Sequence, residues 1–386
     1  MSEAVIVAAF RSPMGRALKG QFVHTRIDDL GAQVIQAALK SVSQLDTAMI
    51  EDVLIGCAMP EGEQGLNVAR NISLLAGLPL TCGAATVNRF CGSSLETINQ
   101  AASAVLAGNG EVFVTGGVES MSHVPMGGFN PSLNELLLAP DSPAAYIGMG
   151  ETAENLAKKY NISREEQDQF AFGSHQKAVK ALNSGKFKKE IVVVDAVQAD
   201  GSKKKADTDE GPRADTTPEK LGQLKPAFKA DGTVTAGNSS PLTDGAACVI
   251  VMAGATAKRL GIKPIAKIRS WAIAGVDPSI MGVGPVQAVQ KALKRAGMKL
   301  SDIDLIELNE AFAVQALSVS KELGWDMDKL NVHGGAVALG HPLGCSGARI
   351  MATLTHALQD RNKTIGLETL CIGGGQGIAT IIERLN

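Results

Sequence analysis

Cys91 is the residue whose setting most strongly indicates chemistry in this chain. It lies in the run Asn88-Arg-Phe-Cys-Gly-Ser-Ser-Leu95, and apolar residues then recur at helical spacing as far as Gly108. The N-terminus of a helix carries partial positive charge and unpaired N–H groups, which favour a thiolate. The sequence therefore predicts a reactive thiol of lowered pKa, although a free cysteine is more commonly a small core residue.

Three short segments in the C-terminal third change the interpretation of Cys91. Asn309-Glu-Ala-Phe312 follows an apolar strand, and His341 stands in a glycine-bounded turn before a helix. Cys371-Ile-Gly-Gly-Gly places a second cysteine at a strand end, followed by backbone amides. Each alone has an ordinary explanation, as a turn amide, a loop histidine or a core thiol. Together they supply a nucleophile, a base, a second acid–base thiol and N–H donors for an oxyanion.

The other cysteines, histidines and charge runs show no comparable pattern. Cys345 begins a helix much as Cys91 does, but we interpret its thiol as a packing group. Lys203–Lys205 is interpreted as solvated surface charge. The remaining candidates are assigned to the core or to no chemical role: Cys57, Cys82, Cys248, His24, His123, His175 and His356.

The elements that must position these residues are continuous apolar strands alternating with helices. This pattern opens the chain and returns in the last third, which indicates sheets covered on both faces. The predicted strands are Val5–Phe10, Asp52–Cys57, Val112–Val118, Ala246–Met252, Ala266–Ala274, Ile303–Leu308, Thr364–Cys371 and Ile378–Ile382. The predicted helices are Asp28–Leu39, Leu66–Leu75, Ser163–Asn183, Val286–Ala296 and about Phe312 to Leu323, with two more starting near Cys91 and Cys345.

A weak internal similarity links the two ends of the chain. Cys91-Gly-Ser-Ser and Gly344-Cys-Ser-Gly347 are small-residue helix starts in comparable places, which suggests a duplicated α/β half. Between about Glu119 and Asp244 the sequence is turn-rich and polar, so the regular alternation is interrupted. We interpret this stretch as an insertion.

Composition limits the class of protein. The 386 residues are 45% hydrophobic and 20% charged with a net charge of −2, which suits two or three folding units and gives no basic excess for nucleic acid. No uncharged apolar run reaches the ~18 residues of a membrane span, and the first residues suit a strand better than a signal peptide. The six scattered cysteines lack a Cys-x-x-Cys pair, which argues against a disulfide scaffold or a zinc site. We therefore expect a cytoplasmic protein without a metal.

The chain resembles the thiolases over essentially its whole length. Five motifs stand in family order, namely Cys-Gly-Ser-Ser from Cys91, Gly-Gly-Val-Glu-Ser-Met from Gly116, Asn-Glu-Ala-Phe from Asn309, Gly-His-Pro from Gly340 and Cys-Ile-Gly-Gly-Gly from Cys371. The resemblance implies an α/β fold in which duplicated thiolase-type halves form a five-layered αβαβα core with an inserted loop domain. The implied units are 1–118 plus 245–262 as the N-terminal half, 119–244 as a coenzyme A (CoA) binding loop domain, and 263–386 as the C-terminal half.

The same resemblance implies ping-pong acyl transfer between CoA thioesters, with CoA as co-substrate and no permanently bound cofactor. Cys91 would attack the keto carbon of a 3-ketoacyl-CoA after activation by His341, and Cys371 would protonate the departing acetyl-CoA carbanion. A second CoA would then remove the acyl group from Cys91. His341 and Asn309, the latter through a water, would hold one oxyanion, and the backbone N–H groups of Cys91 and Gly373 would hold the other.

Contacts with CoA are implied at Met149, Arg213, Ser240 and Phe312. Gly148 stands where biosynthetic thiolases often carry a histidine, so we expect the degradative activity, a 3-ketoacyl-CoA thiolase. Acetyl-CoA acetyltransferase is the alternative within the same chemistry. An inactive CoA-thioester binding or carrier protein is a distant alternative, and the second thiol argues against a ketoacyl-ACP synthase.

The resemblance also implies partners. Thiolase folds pair across their central sheets, so a homodimer or homotetramer is expected. Association with other β-oxidation enzymes in a multienzyme complex is a further possibility that the sequence leaves open.

Overall fold

A computed structural model of the chain describes residues 3–139 and 141–385. The ends of the expected terminal units, at residues 1, 2 and 386, and residue 140 of the expected loop domain lie outside the described residues. The strands are β1 (Ala4–Arg11), β2 (Gly15–Arg16), β3 (Asp52–Gly56), β4 (Gly83–Val87), β5 (Val112–Ser120), β6 (Val194–Val197), β7 (Lys203–Ala206), β8 (Thr243–Ala253), β9 (Ala266–Gly275), β10 (Leu305–Leu308), β11 (Ile365–Ile372) and β12 (Gln376–Arg384).

The α-helices alternate with these strands. They are α1 (Ile27–Ser41), α2 (Val68–Leu75), α3 (Ser93–Ala107), α4 (Met149–Tyr160), α5 (Arg164–Asn183), α6 (Pro218–Gly222), α7 (Gly254–Leu260), α8 (Gly284–Ala296), α9 (Ala313–Leu323), α10 (Ala336–Leu339) and α11 (Ser346–Asp360). Most of the predicted elements are found, with ends shifted by a few residues.

Two predicted element starts are wrong for local reasons. The helix predicted from Leu66 begins at Val68, because Leu66 and Asn67 have φ values of 52° and 56°, in the left-handed region that a helix excludes. The strand predicted from Ile303 begins at Leu305, because a short 3₁₀ turn over Leu300–Asp302 precedes it. Hydrophobic periodicity did not detect either feature.

The two halves share one strand pattern. In the N-terminal half the order is β3–β5–β8–β1, with β3 parallel to β5 and the other pairs antiparallel. In the C-terminal half the order β10–β11–β12–β9 repeats these orientations. The N-terminal half adds β4, parallel to β3, and the two sheets meet where Val5 and Ile6 pair with Lys267 and Ala266. The predicted duplication is therefore confirmed.

The layers follow from side chains that alternate between the faces of each sheet. On β8, Cys248 and Ile250 pack with the cluster that contains α1 and α2, whereas Val249 packs with the cluster that contains α3 and α11. On β11, Leu370 faces α3 and α11, and Leu367 packs with α8 and α9. The order is α1/α2, sheet, α3/α11, sheet, α8/α9, so the five-layered αβαβα core is also confirmed.

The inserted region occupies one specific connection of the duplicated pattern. In the C-terminal half, three residues join β11 to β12, whereas in the N-terminal half the whole stretch from 121 to 242 joins β5 to β8. It contains α4 to α6 and the β6–β7 hairpin, in which Lys203–Lys205 is exposed. Helix α5 begins with a capping box formed by Ser163 and Glu166. The domain bounds 119 and 244 remain a prediction.

The described part of the chain has neither a membrane-spanning helix nor a metal-binding group of side chains. Within residues 3–139 and 141–385, no helix has both the length and the apolar character needed to cross a membrane. In the same residues, no group of three or more His, Cys, Asp and Glu side chains is arranged so that it could hold a metal ion.

Candidate active site

Cys91 lies in the 3₁₀ turn Phe90–Gly92, which leads directly into α3. Phe90 has φ of 44°, a left-handed conformation unusual for a bulky residue, and its N–H donates to Asn88 Oδ1 at 2.9 Å. A Cβ on Gly92 would lie 2.6 Å from Ile372 Cδ1, so glycine lets this turn approach the end of β11. The strained turn of one half therefore packs against a strand end of the other half.

The thiol of Cys91 does not have the lowered pKa that the helix start predicts. Burial raises its pKa to about 11, although the N–H groups of Gly373 and of Cys91 itself point at the sulfur and oppose that rise. The negative charge of Glu119 raises the pKa further. The prediction is wrong because only 7% of this residue is exposed, and loss of hydration outweighs the N–H donors. A pKa of about 11 favours the neutral thiol of Cys91 at pH 7.

The hairpin between β11 and β12 brings Gly373 to the Cys91 sulfur. Gly374 and Gly375 have φ values of 78° and 83°, a conformation that glycine adopts without strain. Two backbone N–H groups, from Gly373 and Cys91, thus converge beside the nucleophilic atom, as an oxyanion hole requires. The structure brings the predicted pair together, and their role stays a prediction.

Cys371 lies one residue before the end of β11 and is fully buried. It packs in an apolar cluster that includes Met281 and Phe312. Burial raises the pKa of Cys371 well above its usual value, and the nearby Cys91 raises it further. The two predicted thiols therefore lie close enough to interact electrostatically, and negative charge on Cys91 disfavours ionisation of Cys371.

His341 is buried and neutral. Burial lowers its pKa to about 3, and the positive charge of Arg349 contributes. Its Nδ1 lies 2.5 Å from Ser346 Oγ, whose hydroxyl donates to the carbonyl of Pro342 at 2.8 Å. Because that hydroxyl proton is already used, Ser346 accepts from Nδ1–H, and the lone pair of Nε2 faces the side-chain NH₂ of Asn309 as an acceptor. Sequence reasoning missed Ser346, although it stands five residues after the histidine in the same turn.

Asn309 lies beside that lone pair. Its Nδ2 is 3.3 Å from His341 Nε2, and its backbone N–H donates to the carbonyl of Thr369 at 3.0 Å. The buried Oδ1 atom of Asn309 has no hydrogen-bond partner among the described residues. Buried polar atoms are rarely left unpaired, so this oxygen suits the predicted water-mediated contact with substrate.

The pair of thiols, Cys91 and Cys371, adjoins the pair formed by His341 and Asn309, but no hydrogen bond among the described residues connects Cys91 to His341. Cys91 packs with Leu343, which lies two residues after His341, in a small apolar cluster that also holds Ala58 and Met121. Within the described residues, no hydrogen bond joins Cys91 to His341. Direct proton transfer between them therefore stays a prediction.

Three of the four predicted CoA contacts surround this site. A Cβ built on Gly373 would lie 3.4 Å from Met149 Sδ. The N–H and hydroxyl of Ser240 both donate to the carbonyl of Ala311 at 3.0 and 3.1 Å. Phe312 belongs to the same apolar cluster as Cys371 and meets Phe228 edge to face, with ring centroids 5.9 Å apart. Apolar and aromatic surfaces of this kind suit the pantetheine arm of CoA.

Arg213, the fourth, lies elsewhere. It is exposed in a loop, and its backbone N–H donates to Nδ1 of His175 at 3.2 Å. No described contact links Arg213 to Cys91, His341 or Cys371. Its predicted role in binding the nucleotide of CoA is therefore independent of the catalytic cluster.

Glu119 is the second residue that sequence reasoning missed. It lies in the motif Gly-Gly-Val-Glu-Ser-Met that starts at Gly116, but the motif by itself indicates no role for the carboxylate. A glutamate near the end of a mostly apolar strand is itself a signal, because an unpaired buried charge is costly. In the structure Glu119 is buried and bonded to the turns of both halves.

The fold and this cysteine–histidine–cysteine cluster define a protein built for acyl transfer through a thioester. Two family descriptions, "Thiolase, N-terminal domain" and "Thiolase, C-terminal domain", match residues 4–255 and 262–384. A 3-ketoacyl-CoA thiolase of Bacillus subtilis is 51% identical, and the match covers 99% of this chain and 100% of that protein. A 3-ketoacyl-CoA thiolase of a Marinomonas species is 49% identical, with coverage of 100% and 99%.

A solved structure is similar in fold as well. The crystal structure of the Bacillus anthracis acetyl-CoA acetyltransferase matches with a TM-score of 0.92 and 42% identity, covering 100% of this chain and 99% of that chain. The chain belongs to the thiolase family, and its fold is the thiolase fold.

Proposed function

We propose that this protein is an acetyl-CoA C-acyltransferase that cleaves 3-ketoacyl-CoA with CoA, yielding acetyl-CoA and a shortened acyl-CoA. The observation that carries the proposal is the convergence of two backbone N–H groups on the Cys91 sulfur, next to the buried thiol of Cys371. Relatives about half identical over the full length, named 3-ketoacyl-CoA thiolase, support the same reaction.

The first half-reaction forms an acyl-enzyme. Cys91 Sγ attacks the keto carbon of the substrate, its proton passes to Nε2 of His341, and the oxyanion is held by the N–H groups of Cys91 and Gly373. Collapse of this intermediate breaks the bond to the α-carbon. The electron pair leaves on acetyl-CoA as an enolate, and the thiol of Cys371 donates the proton that completes acetyl-CoA.

The protonation states impose an order on these steps. Burial favours the neutral forms of both thiols and of His341, so Cys91 loses its proton as it attacks and not before. Because Nδ1–H is bonded to Ser346, Nε2 of His341 becomes a donor only after it takes that proton. His341 then stabilises the enolate oxygen together with a water bound to Asn309. One residue thus serves first as the base and then as the oxyanion donor.

The second half-reaction transfers the acyl group. The thiol of CoA attacks the Cys91 thioester, the same two N–H groups hold the tetrahedral oxyanion, and the Cys371 thiolate takes the CoA proton. Collapse restores Cys91, which recovers its proton from His341. Every group returns to its starting protonation state, and CoA is the only co-substrate.

Acetyl-CoA acetyltransferase is the alternative, favoured by the similarity to the Bacillus anthracis enzyme. Gly148, at the N-cap of α4, presents no side chain beside Met149, which supports the degradative reaction. The discriminating measurement is a chain-length series. We expect turnover of 3-ketoacyl-CoA longer than acetoacetyl-CoA, and activity with acetoacetyl-CoA alone would reverse the preference. The inactive carrier is disfavoured because all three reactive side chains are present.

Cys91→Ser tests the proposed function. Incubation with a 3-ketoacyl-CoA in the absence of CoA should add the acyl mass to the wild-type chain, on Cys91, and add nothing to the variant. Turnover should fall at least about 1,000-fold, because a serine hydroxyl is a far weaker acid than a thiol and a far weaker nucleophile toward the keto carbon. Unchanged turnover, or an acyl group on another residue, would refute the assignment.

We also propose a homodimer, formed through the edge of the N-terminal sheet. Strand β4 pairs with β3 alone among the described strands, so its other edge is free to pair with a second copy. Leu66 and Leu80, in the segments flanking β4 and α2, are 95% and 79% exposed. A single-chain mass by light scattering would contradict this proposal. Tetramers, or association with other β-oxidation enzymes, would appear as larger masses.

A cytoplasmic location is proposed on different grounds. All six cysteines are free in the structure, and a chain with six unpaired thiols suits a reducing compartment. Localisation of a tagged chain by fractionation tests this.

A further inference from the structure

Glu119 connects two turns that belong to different halves of the molecule. It is 1% exposed, near the end of β5. Its Oε2 accepts from the N–H of Ala58 at 2.8 Å and from the N–H of Gly344 at 2.7 Å. Its Oε1 accepts from the N–H of Met59 at 3.2 Å and from Gln64 Nε2 at 2.9 Å. One carboxylate therefore satisfies four N–H donors.

These partners require an ionised carboxylate. The amide of Gln64 is oriented by two further bonds, because its Nε2 donates to the carbonyl of Met59 at 2.7 Å and its Oε1 accepts from the N–H of Ser120 at 2.5 Å. The thiol of Cys57, 3.8 Å from Oε1, is also a donor. Burial raises the pKa of Glu119, while the N–H donors oppose that rise. Since every neighbour donates, a carboxyl proton would have no acceptor.

The bond to Gly344 holds the turn that carries His341. Gly344 lies three residues after the histidine, and its peptide packs directly on the N-terminal sheet. A Cβ on Gly117 would lie 2.2 Å from Gly344 O, and a Cβ on Gly56 would lie 2.8 Å from the same atom. Two glycines thus let the turn lie on strands β3 and β5, and Glu119 bonds it there.

The bond to Ala58 supports the turn that carries Cys91. The carbonyl of Ala58 accepts from Asn88 Nδ2 at 3.0 Å, and Asn88 Oδ1 accepts from the N–H of Phe90 at 2.9 Å. Phe90 immediately precedes Cys91. Oε2 of Glu119 is therefore linked to the Cys91 turn through Ala58 and the side-chain amide of Asn88, and to the His341 turn through Gly344.

We propose that Glu119 is the positioning residue that sets the distance between Cys91 and His341. The inference rests on the proposed function, which assigns His341 to take the proton of Cys91. Neither half alone can set this distance, because the nucleophile lies before α3 and the base lies before α11. A buried, charge-assisted bond to both turns makes their separation rigid.

Glu119 has a second, separable effect, because its negative charge opposes ionisation of Cys91. Its removal should therefore change two observables in opposite directions. Loss of positioning slows acyl transfer, whereas loss of the charge makes the thiol easier to ionise. A purely structural residue would not change the ionisation of Cys91 in a protein that stays folded.

The test is Glu119→Gln, which keeps the shape and removes the charge. The glutamine NH₂ must face N–H groups, either those of Met59 and Gln64 at the Oε1 position or those of Ala58 and Gly344 at the Oε2 position, so the four-donor arrangement cannot be kept. We expect kcat to fall by about 100-fold, as a misplacement of ~1 Å produces, with little change in KM. We expect alkylation of Cys91 by iodoacetamide to shift to lower pH. A wild-type kcat, or an unshifted alkylation profile in the folded variant, would overturn the proposal.

Asn88→Ala is the second variant. It should disturb folding less than Glu119→Gln does, because Asn88 is exposed. It breaks only the link on the Cys91 side and keeps the charge of Glu119. We expect a decrease in kcat of about 10-fold, within the range of positioning effects, and an unshifted alkylation profile. A wild-type kcat for this variant would show that the link does not act through Asn88 and would contradict the two-turn arrangement.

Asp209→Asn is the matched control. Asp209 is an equally buried carboxylate that accepts from both terminal nitrogens of Arg11 and from the N–H of Met14. The variant should lose stability but keep the rate per folded molecule. An inactive Cys91→Ser together with a fully active Glu119→Gln would overturn the positioning role alone. An active Cys91→Ser would overturn the proposed function.

Discussion

The helix starts at Cys91 and Cys345 occupy equivalent places in the two halves, yet their surroundings are opposite. Each turn precedes the central helix of its half, α3 or α11, and each rests on the end of a strand from the other half. The Cys91 turn meets the end of β11, where Gly373 directs an N–H group at the sulfur. The Cys345 turn meets the end of β5, where Glu119 accepts from the N–H of Gly344.

The Cys91 turn therefore faces a hydrogen-bond donor, whereas the Cys345 turn faces an acceptor. This difference distinguishes a turn suited to chemistry from a structural turn. At Cys91, N–H groups are left to stabilise negative charge on an oxygen near the sulfur. In the Cys345 turn, the N–H of Gly344 is used by a carboxylate, the Cys345 thiol is fully buried, and burial raises the pKa of that thiol far above the usual value. Similar local sequences therefore carry the proposed nucleophile in one half and a turn bonded to Glu119 in the other.

Replacing each thiol with a hydroxyl should give the largest contrast in kcat between these two turns. Cys345→Ser should keep kcat within about threefold of wild type, whereas Cys91→Ser loses at least about 1,000-fold. The Cys345 variant should instead lose about 1–3 kcal/mol of unfolding free energy, because a hydroxyl is left unpaired in an apolar core. Steady-state rates and urea denaturation measure both. A large loss of kcat at Cys345 would remove the distinction.

Adding one methyl group to each turn's glycine sharpens the comparison. On Gly344 a Cβ would lie 2.6 Å from Cys57 Cα and 2.8 Å from Glu119 Oε2, so Gly344→Ala should cost about 1–3 kcal/mol or more and reduce kcat as well. On Gly373 the nearest atom is Met149 Sδ at 3.4 Å, an ordinary contact. Gly373→Ala should therefore keep its stability. Equal melting temperatures for the two variants would contradict this contrast.

The pH dependence of alkylation gives the smallest but most direct test. With a Cys91 pKa of about 11, the thiolate fraction and the alkylation rate should rise about tenfold per pH unit from pH 7 to 9. A thiol of lowered pKa would react at a constant rate over that range. Cys345 should stay unmodified in the folded protein. Peptide mapping after timed alkylation distinguishes the two cysteines, with the denatured chain as the reactive control.

Much of the fold was accessible to sequence reasoning, because its strands are apolar on both faces and its helices end at recognisable signals. Gly108 ends α3 in the left-handed conformation, as its place after the last apolar residue predicts. The left-handed pair Leu66 and Asn67 was not accessible, since neither residue type demands that conformation. The polar, turn-rich composition indicates the insertion. Only the strand pairing shows that it occupies the connection that in the C-terminal half is the short β11–β12 turn.

The site divides in the same way. Cys91, His341 and Cys371 stand out because their types and spacing match a chemical need. Glu119 did not stand out because its role depends on N–H groups contributed by other segments. Ser346 did not stand out because its bond to His341 forms only when the turn between them has folded. The pKa of Cys91 was predicted in the wrong direction for the same reason. A helix start is a local feature, whereas burial is not.

The sequence by itself determined the elements, the duplication and the identity of the reactive side chains, since these follow from periodicity and residue type along the chain. Only the tertiary structure decided the protonation states, the tautomer of His341 and the division of labour between Cys91 and Cys345. Desolvation and hydrogen-bond partners set those properties. Gly373 and Cys91, like Glu119 and Gly344, are more than two hundred positions apart, whereas Ser346, which fixes the tautomer of His341, bonds to it only once the turn between them has folded.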